Sequence, residues 1–401
     1  MKRFSPSMIF NQTGRWLRFF ILAASLVVSS VMPPLSTHSA YAGPVSIPPL
    51  LLSLRMEGIP SILWFEKGKA LYNLMAYQEA AEAFSHIEKD GEKGGSPKEM
   101  IEESLYLRAN SLMKIGDYPE AAALLNLIPD KSRFYSYALY TTAMIYLYQE
   151  NEKNAIEVFE QISANFPAEN IAFKAHLTSG FIFLEKDNPA EAVRHFAVIP
   201  ETSPFYMQAL FGSGWAHAKM GRWVRTVVSW EELSSRYPES QYTREVMPYI
   251  GHAYAALSAY GKALDQNGIA LRYYQDLLKK LSDIGKRIES KEIKAIAEAI
   301  DIAGDKKMSD DLELYHGLLS MEEYLSGRKG VGESDIRILI TASVESRSNI
   351  TDRLSERLSR RIDDLRHQLL EASLTASLEM ARNLRLEGGG RISNDMIFRE
   401  P

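Results

Sequence analysis

A twelve-residue step between two small residues recurs six times along this chain and limits what it can fold into more than any other feature. It joins Gly68 to Ala80, Ala109 to Ala121, Ala143 to Ala155, Gly180 to Ala192, Gly214 to Thr226 and Gly251 to Ala263. The copies start 41, 34, 37, 34 and 37 residues apart. Within each copy two apolar-periodic segments flank a break, and both are long enough for about three helical turns, so each copy reads as a pair of helices, A and B. A small residue early in each helix lets the two backbones approach closely. A bulky residue four positions after the second small one, Phe84, Leu125, Phe159, Phe196 or Trp230, fills the space between neighbours. The stretch "GDYPEAAALL" shows the break in detail: Gly116 ends helix A, Asp117 caps helix B, Pro119 stands in its first turn and Ala121 is its contact point.

These residues resemble tetratricopeptide repeats, whose period of about 34 residues, small–small–bulky pattern and closing proline they reproduce. Pro167, Pro204 and Pro238 stand at the closing position, while Pro129 and Pro200 end their helices slightly early. The resemblance covers residues 61–281 and implies an all-α fold: a right-handed superhelical solenoid of about six helix pairs. Three features depart from it: Thr226 replaces the usual alanine, Asn267 replaces the bulky residue, and a polar insertion from Lys89 lengthens the first connection.

The resemblance also implies that certain helix A side chains line a concave groove that holds protein or peptide segments. Those positions are apolar here: Tyr106, Tyr137, Tyr140, Met144, Tyr148, Phe181, Phe211 and Trp215 form the candidate partner-binding groove. Tyr140, Phe181 and Trp215 are expected to face the concave side rather than the inter-repeat core. Basic residues are scattered there one per repeat, as Lys69, Lys114, Lys174 and Lys219, so apolar or amphipathic segments are the expected partners rather than acidic tails. An apolar surface of this size calls for an occupant, and the chain's own C-terminal helix or a dimer mate competes with a client for that place.

No proline occurs between Pro248 and Pro401, so the remainder also reads as helical. Residues 282–333 are expected to be shorter capping helices that cover the exposed apolar face of the last repeat. Residues 334–386 read as one long amphipathic helix with apolar residues at Ile350, Leu354, Leu358, Ile362, Leu365, Leu369, Ala372, Ala376, Met380 and Leu384. Their mean spacing exceeds the 3.5 residues of a left-handed coiled coil, although homo-oligomerisation through this helix is one expectation it raises. Residues 387–401 read as a flexible tail.

The first 42 residues hold Lys2, Arg3, Arg15 and Arg18 and no acid, then a 14-residue apolar run from Phe19 to Met32, then Ala40-x-Ala42. This is the layout of a secretory signal peptide cut between Ala42 and Gly43, with 43–60 as a linker. Its apolar run is shorter than the about 20 residues that span a bilayer, so no stable membrane span is expected after cleavage; an uncleaved leader would instead anchor the chain in the inner membrane. The whole chain carries −5, and the part beyond the basic leader is more acidic still, which argues against a nucleic-acid partner. The absence of cysteine excludes disulfides, thiolate metal sites and a lipid-bearing cysteine, and with the leader it points to a bacterial periplasm.

The eight histidines show no HExxH or other tight metal spacing, "GEKGGSPK" lacks the order of a phosphate-binding loop, and "GSGW" is not a nucleophile elbow. No catalytic constellation, cofactor or metal site is therefore expected. The functional expectation is a non-enzymatic periplasmic scaffold or adaptor in a cell-envelope complex. The alternatives are a structural subunit whose groove is filled by its own C-terminal helix, and an envelope enzyme without a recognisable motif.

Overall fold

In a computed structural model, residues 61–73, 76–91, 97–303, 308–309, 311–312, 315–316, 318–319 and 333–387 are described. The expected leader with its Ala42–Gly43 cleavage site, the linker and the expected flexible tail beyond Glu387 lie outside them. The described residues contain fourteen helices and no strand. The six copies supply twelve of these: α1 (Ser61–Asn73) and α2 (Tyr77–Gly91), α3 (Lys98–Ile115) and α4 (Tyr118–Leu125), α5 (Tyr135–Tyr148) and α6 (Glu152–Asn165), α7 (Asn170–Glu185) and α8 (Pro189–Phe196), α9 (Tyr206–Lys219) and α10 (Trp223–Arg236), α11 (Gln241–Ala256) and α12 (Tyr260–Glu289). They are followed by α13 (Ile293–Ala303) and α14 (Glu333–Glu387). The fold is all-α, with the helix pairs of a tetratricopeptide-type solenoid. No described helix is long and apolar enough to cross a membrane.

The packing divides the described residues into two compact units, one holding those from 61 to 172 and from 308 to 354, the other those from 173 to 303 and from 355 to 387. In both, the interior is built on the small residues read from the sequence. Ala80, Ala109, Ala121, Ala143, Ala155, Ala192 and Ala263 are wholly buried. The bulky residue of helix B lies directly on the small residue of helix A: a Cβ at Gly68 would stand 2.6 Å from Phe84, one at Gly180 2.5 Å from Phe196, and one at Gly214 2.0 Å from Trp230. Phe196 also presses on Gly212, where a Cβ would come within 2.4 Å, so one ring locks its own pair to the next. Thr226 is accommodated because its hydroxyl donates to the Gly214 carbonyl at 3.4 Å. Asn267, the other departure, is fully buried over Gly251 with both amide atoms unpartnered.

The break between helices is equally regular. Gly116, Glu150, Asp187, Gly221 and Ser258, each seven residues after a small residue, are all left-handed, with φ of 57–88°. The next residue's N–H reaches back to the carbonyl five positions earlier, as from Asp117 to Leu112 at 2.9 Å and from Asn188 to Phe183 at 2.8 Å. This is the backbone closure that satisfies the last carbonyls of a helix, and glycine adopts it without the strain that Glu150, Asp187 and Ser258 accept. Asp117, Asn151 and Asn188 then cap the following helix by accepting from Glu120, Asn154 and Glu191 N–H.

The alternation of 34- and 37-residue steps has a structural cause. Helices α4 and α8 have 8 residues, whereas α6 and α10 have 14. The short ones end in "IPDKSRFY" and "IPETSPFY", where Ser132 and Ser203 accept from the N–H of Phe134 and Phe205 at 3.1 and 3.2 Å. In copy six the second helix has 30 residues and runs through residue 281 without a break. The long helix α14 spans the expected 334–386. Its stripe is buried at Ile350 and Leu354 in the first unit and at Leu358, Ile362, Leu365, Leu369 and Ala376 in the second. Leu384 departs from the expectation, being 42% exposed while Asn383 is buried in its stead. The apolar residues there step by four, and a helix of 3.6 residues per turn carries the fourth such step off the buried face.

The Gly214–Trp230 contact predicts opposite outcomes for two glycine substitutions. Gly214→Ala forces Trp230 to shift and is expected to destabilise by about 1–3 kcal/mol through overpacking. Gly285→Ala, in α12 with open space at its Cβ, is expected to stabilise by about 0.5–1 kcal/mol through helix propensity. Urea unfolding of both variants checks the pair, and a stabilising Gly214→Ala would refute the packing described.

Candidate functional site

The structure corrects the groove expectation for six of its eight residues. Tyr106, Tyr140, Met144, Phe181, Phe211 and Trp215 are at most 5% exposed, so they are packed side chains rather than free anchors. Tyr140 lies 5.4 Å from Phe159 and Phe181 5.1 Å from Phe196, each against the bulky ring of its own helix B. Trp215 meets Trp230 edge-on at 5.1 Å and also Tyr249 of copy six at 5.1 Å, and Phe211 meets Tyr242 at 5.0 Å. Tyr106 stacks on Phe134 at 5.8 Å. The physical reason is size: a ring at these positions is long enough to reach its own helix B or the next helix A, where burial is worth more than a place in an open groove. Tyr137 and Tyr148 remain half-buried. Burial and the neighbouring Glu169 hold the Tyr137 phenol above its ordinary pKa.

The scattered lysines are engaged locally. Lys219 donates to the Leu184 carbonyl at 3.2 Å and to Asp187 at 2.8 Å, Lys69 lies 4.6 Å over the Phe65 ring, and Lys174 is 2% exposed. They form no clamp for a partner's carboxylate.

In the second unit, His252 stands one residue after Gly251, as Phe181 follows Gly180 and Trp215 follows Gly214, and its ring meets Trp223 of α10 edge-on at 5.8 Å. His252 Nδ1 lies 3.9 Å from Oε2 of Glu379 on α14. The His252 contact holds Glu379 below the usual carboxylate range against the opposing effect of burial. Two turns earlier on α11, burial pushes the Glu245 carboxyl up to about 7. Arg244 beside it donates to the Ile302 carbonyl at 2.9 Å and so ties α11 to α13. The contact brings Glu379 of α14 to α11, and the α14 stripe Leu358, Ile362, Leu365, Leu369 and Ala376 is buried in the same unit.

One polar cluster was not anticipated. Helices α8, α9 and α10 border an open cavity of about 830 Å³ lined by His217, Arg222 and Arg225 with Glu201, Ser213, Ser229 and apolar side chains. The signal for it in the sequence is Arg222, which stands where copies two, three and four place the capping Asp117, Asn151 and Asn188.

The tetratricopeptide repeat family model matches residues 137–168 and 208–240. No curated protein matches the sequence at a significant level. Among solved structures the chain is similar to the C-terminal part of a TPR repeat-containing protein from Cytophaga hutchinsonii, with 16% identity and a TM-score of 0.41 over 63% of this chain and 94% of that one. It is also similar to a tetratricopeptide repeat protein from Parabacteroides merdae, with 12% identity and a TM-score of 0.39 over 71% of this chain and 99% of that one. The two spans matched by the family model are α5–α6 and α9–α10, the copies whose second helix keeps its full 14 residues. At these two spans the chain carries tetratricopeptide repeats.

Proposed function

We propose that this chain is a non-enzymatic scaffold of the bacterial cell envelope, exported to the periplasm, that binds protein partners through its helical repeats. Export is supported by the basic-then-apolar leader ending in Ala40-x-Ala42 and by the absence of cysteine. The same reading has the chain's own C-terminal helix docked at copy six, filling the groove there. The observation that carries this reading is the Glu379–His252 contact, together with the buried stripe Leu358, Ile362, Leu365, Leu369 and Ala376. A partner that reaches this surface is an amphipathic helix able to displace that segment, since it must present the same stripe.

The chain has no cysteine, so an engineered pair reports cleanly on this arrangement. In His252→Cys/Glu379→Cys a short bismaleimide is expected to form an intramolecular bridge in high yield, and in His252→Cys/Glu371→Cys, whose second position is exposed, a poor one. The bridged chain should capture less partner in envelope crosslinking than the unbridged one. Equal bridging in both pairs would refute the occupied groove; equal capture with and without the bridge would refute displacement.

Glu245 gives a second expectation, in pH. A carboxyl whose pKa is higher in the folded chain holds its proton more tightly there than when unfolded. Its contribution is therefore most favourable below about pH 4.5 and is lost as the pH rises to about 7, where it costs about 3 kcal/mol. Glu245→Gln is accordingly expected to stabilise the chain at pH 8 and to change little at pH 4. Denaturant unfolding at the two values checks this, and equal effects at both would refute it.

A further inference from the structure

We propose that the cavity between α8, α9 and α10 is a binding site for a carboxylate carried on an apolar body. It goes beyond the scaffold reading and does not depend on it. The cavity, about 830 Å³, is of the size that takes small ligands or a peptide side chain with its neighbours. Its apolar wall is supplied by Val193, Phe196, Ile199 and Leu210. Its acidic group, Glu201, is engaged by Arg236 at 2.8 Å, which holds Glu232 at 2.9 Å as well. Arg222 and Arg225 have no carboxylate partner among the described residues, and both are exposed at the edge of the cavity. His217 presents a buried Nδ1 with no hydrogen-bond partner.

Two comparisons within the chain show that this cationic lining does not come with the repeat. The 34- and 37-residue steps together place each residue of copies two and three 71 positions before its counterpart in copies four and five, so His217, Arg222 and Arg225 correspond to Tyr146, Asn151 and Asn154. The same short-helix frame therefore exists without the charge. Moreover, α4, α6 and α8 carry a glutamate in the first turn, as a helix N-terminus favours, whereas the first turn of α10 has none and is flanked by arginine instead. Two cations at the positive end of a helix oppose its dipole, and an external anion satisfies both.

The carboxylate has two sources, a free organic acid or an Asp or Glu side chain in an apolar peptide segment, and the test separates them. The full chain is titrated by calorimetry with hexanoate and with acetyl-Leu-Glu-Phe-amide, each against its neutral counterpart, hexanamide and acetyl-Leu-Gln-Phe-amide. At least one carboxylate is expected to saturate, binding at least tenfold more tightly than its neutral counterpart and at least tenfold more tightly than to Arg222→Gln/Arg225→Gln. Saturation by hexanoate identifies a free acid as sufficient; saturation by the peptide alone identifies a side chain. Both arginines are exposed and unpaired, so the double variant should melt with the parent, and Arg225→Gln alone, expected to weaken binding at least threefold, serves if it does not. Bound carboxylate should also raise the His217 titration midpoint seen by NMR, since burial and then Arg222 and Arg225 hold it low in the free chain. No saturation by either carboxylate, equal binding of the neutral counterparts, or affinity unchanged in the arginine variants overturns the proposal.

Discussion

The rest of the structure depends on the contact between a helix A backbone and a helix B ring. Where Gly214 faces Trp230, or Gly180 faces Phe196, no room exists for even a methyl group. Such a contact fixes the distance between two helices, and it does so from residues sixteen apart in sequence, so each pair can form locally. Phe196 extends the same logic across the boundary between copies, because its ring fills the gap over both Gly180 and Gly212. Local contacts of this kind let a stack of pairs gain stability neighbour by neighbour, without the long-range pairing a sheet requires.

This is also why so much of the fold was legible in the sequence. The small residues at a twelve-residue step could not be replaced without separating the helices, so they mark the pairs directly. The left-handed closure was visible at Gly116 but not at Glu150, Asp187 or Ser258, where the backbone adopts the same conformation with residues that do not advertise it. The candidate groove was misread for a related reason. Helical spacing gives the direction in which a side chain leaves its helix, but a tyrosine or tryptophan is long enough to bend toward a neighbour. Tyr140 and Trp215 do so, ending against Phe159 and Trp230. The cavity at His217, Arg222 and Arg225 draws on three helices from two copies, and no single stretch of sequence contains it.

The short second helices have a consequence that the repeat pattern alone does not show. When α8 stops after 8 residues, the chain must reach α9 by a turn, and "IPETSPFY" makes that turn with Ser203 bonding the Phe205 N–H. The truncation removes the last turns of a helix that would otherwise cover α9 and α10. The cavity lined by Val193, Phe196 and Ile199 lies beside that truncated end.

Two surfaces of different character follow from this arrangement in the second unit. At α11, Trp215 already packs on Tyr249 and His252 already lies near Glu379, so access there requires an exchange of contacts. The flank at α8, α9 and α10 has two arginines outside any ion pair among the described residues, because Arg236 bonds both nearby glutamates while Arg222 and Arg225 face solvent. Uncompensated charge on a surface costs little while water solvates it, and so persists in the free protein. It acts once an apolar body excludes that water, since attraction between opposite charges grows as the surroundings become less polar. An apolar wall beside two free guanidinium groups therefore discriminates by both properties together, admitting neither a purely apolar segment nor a bare anion as well as one that carries both.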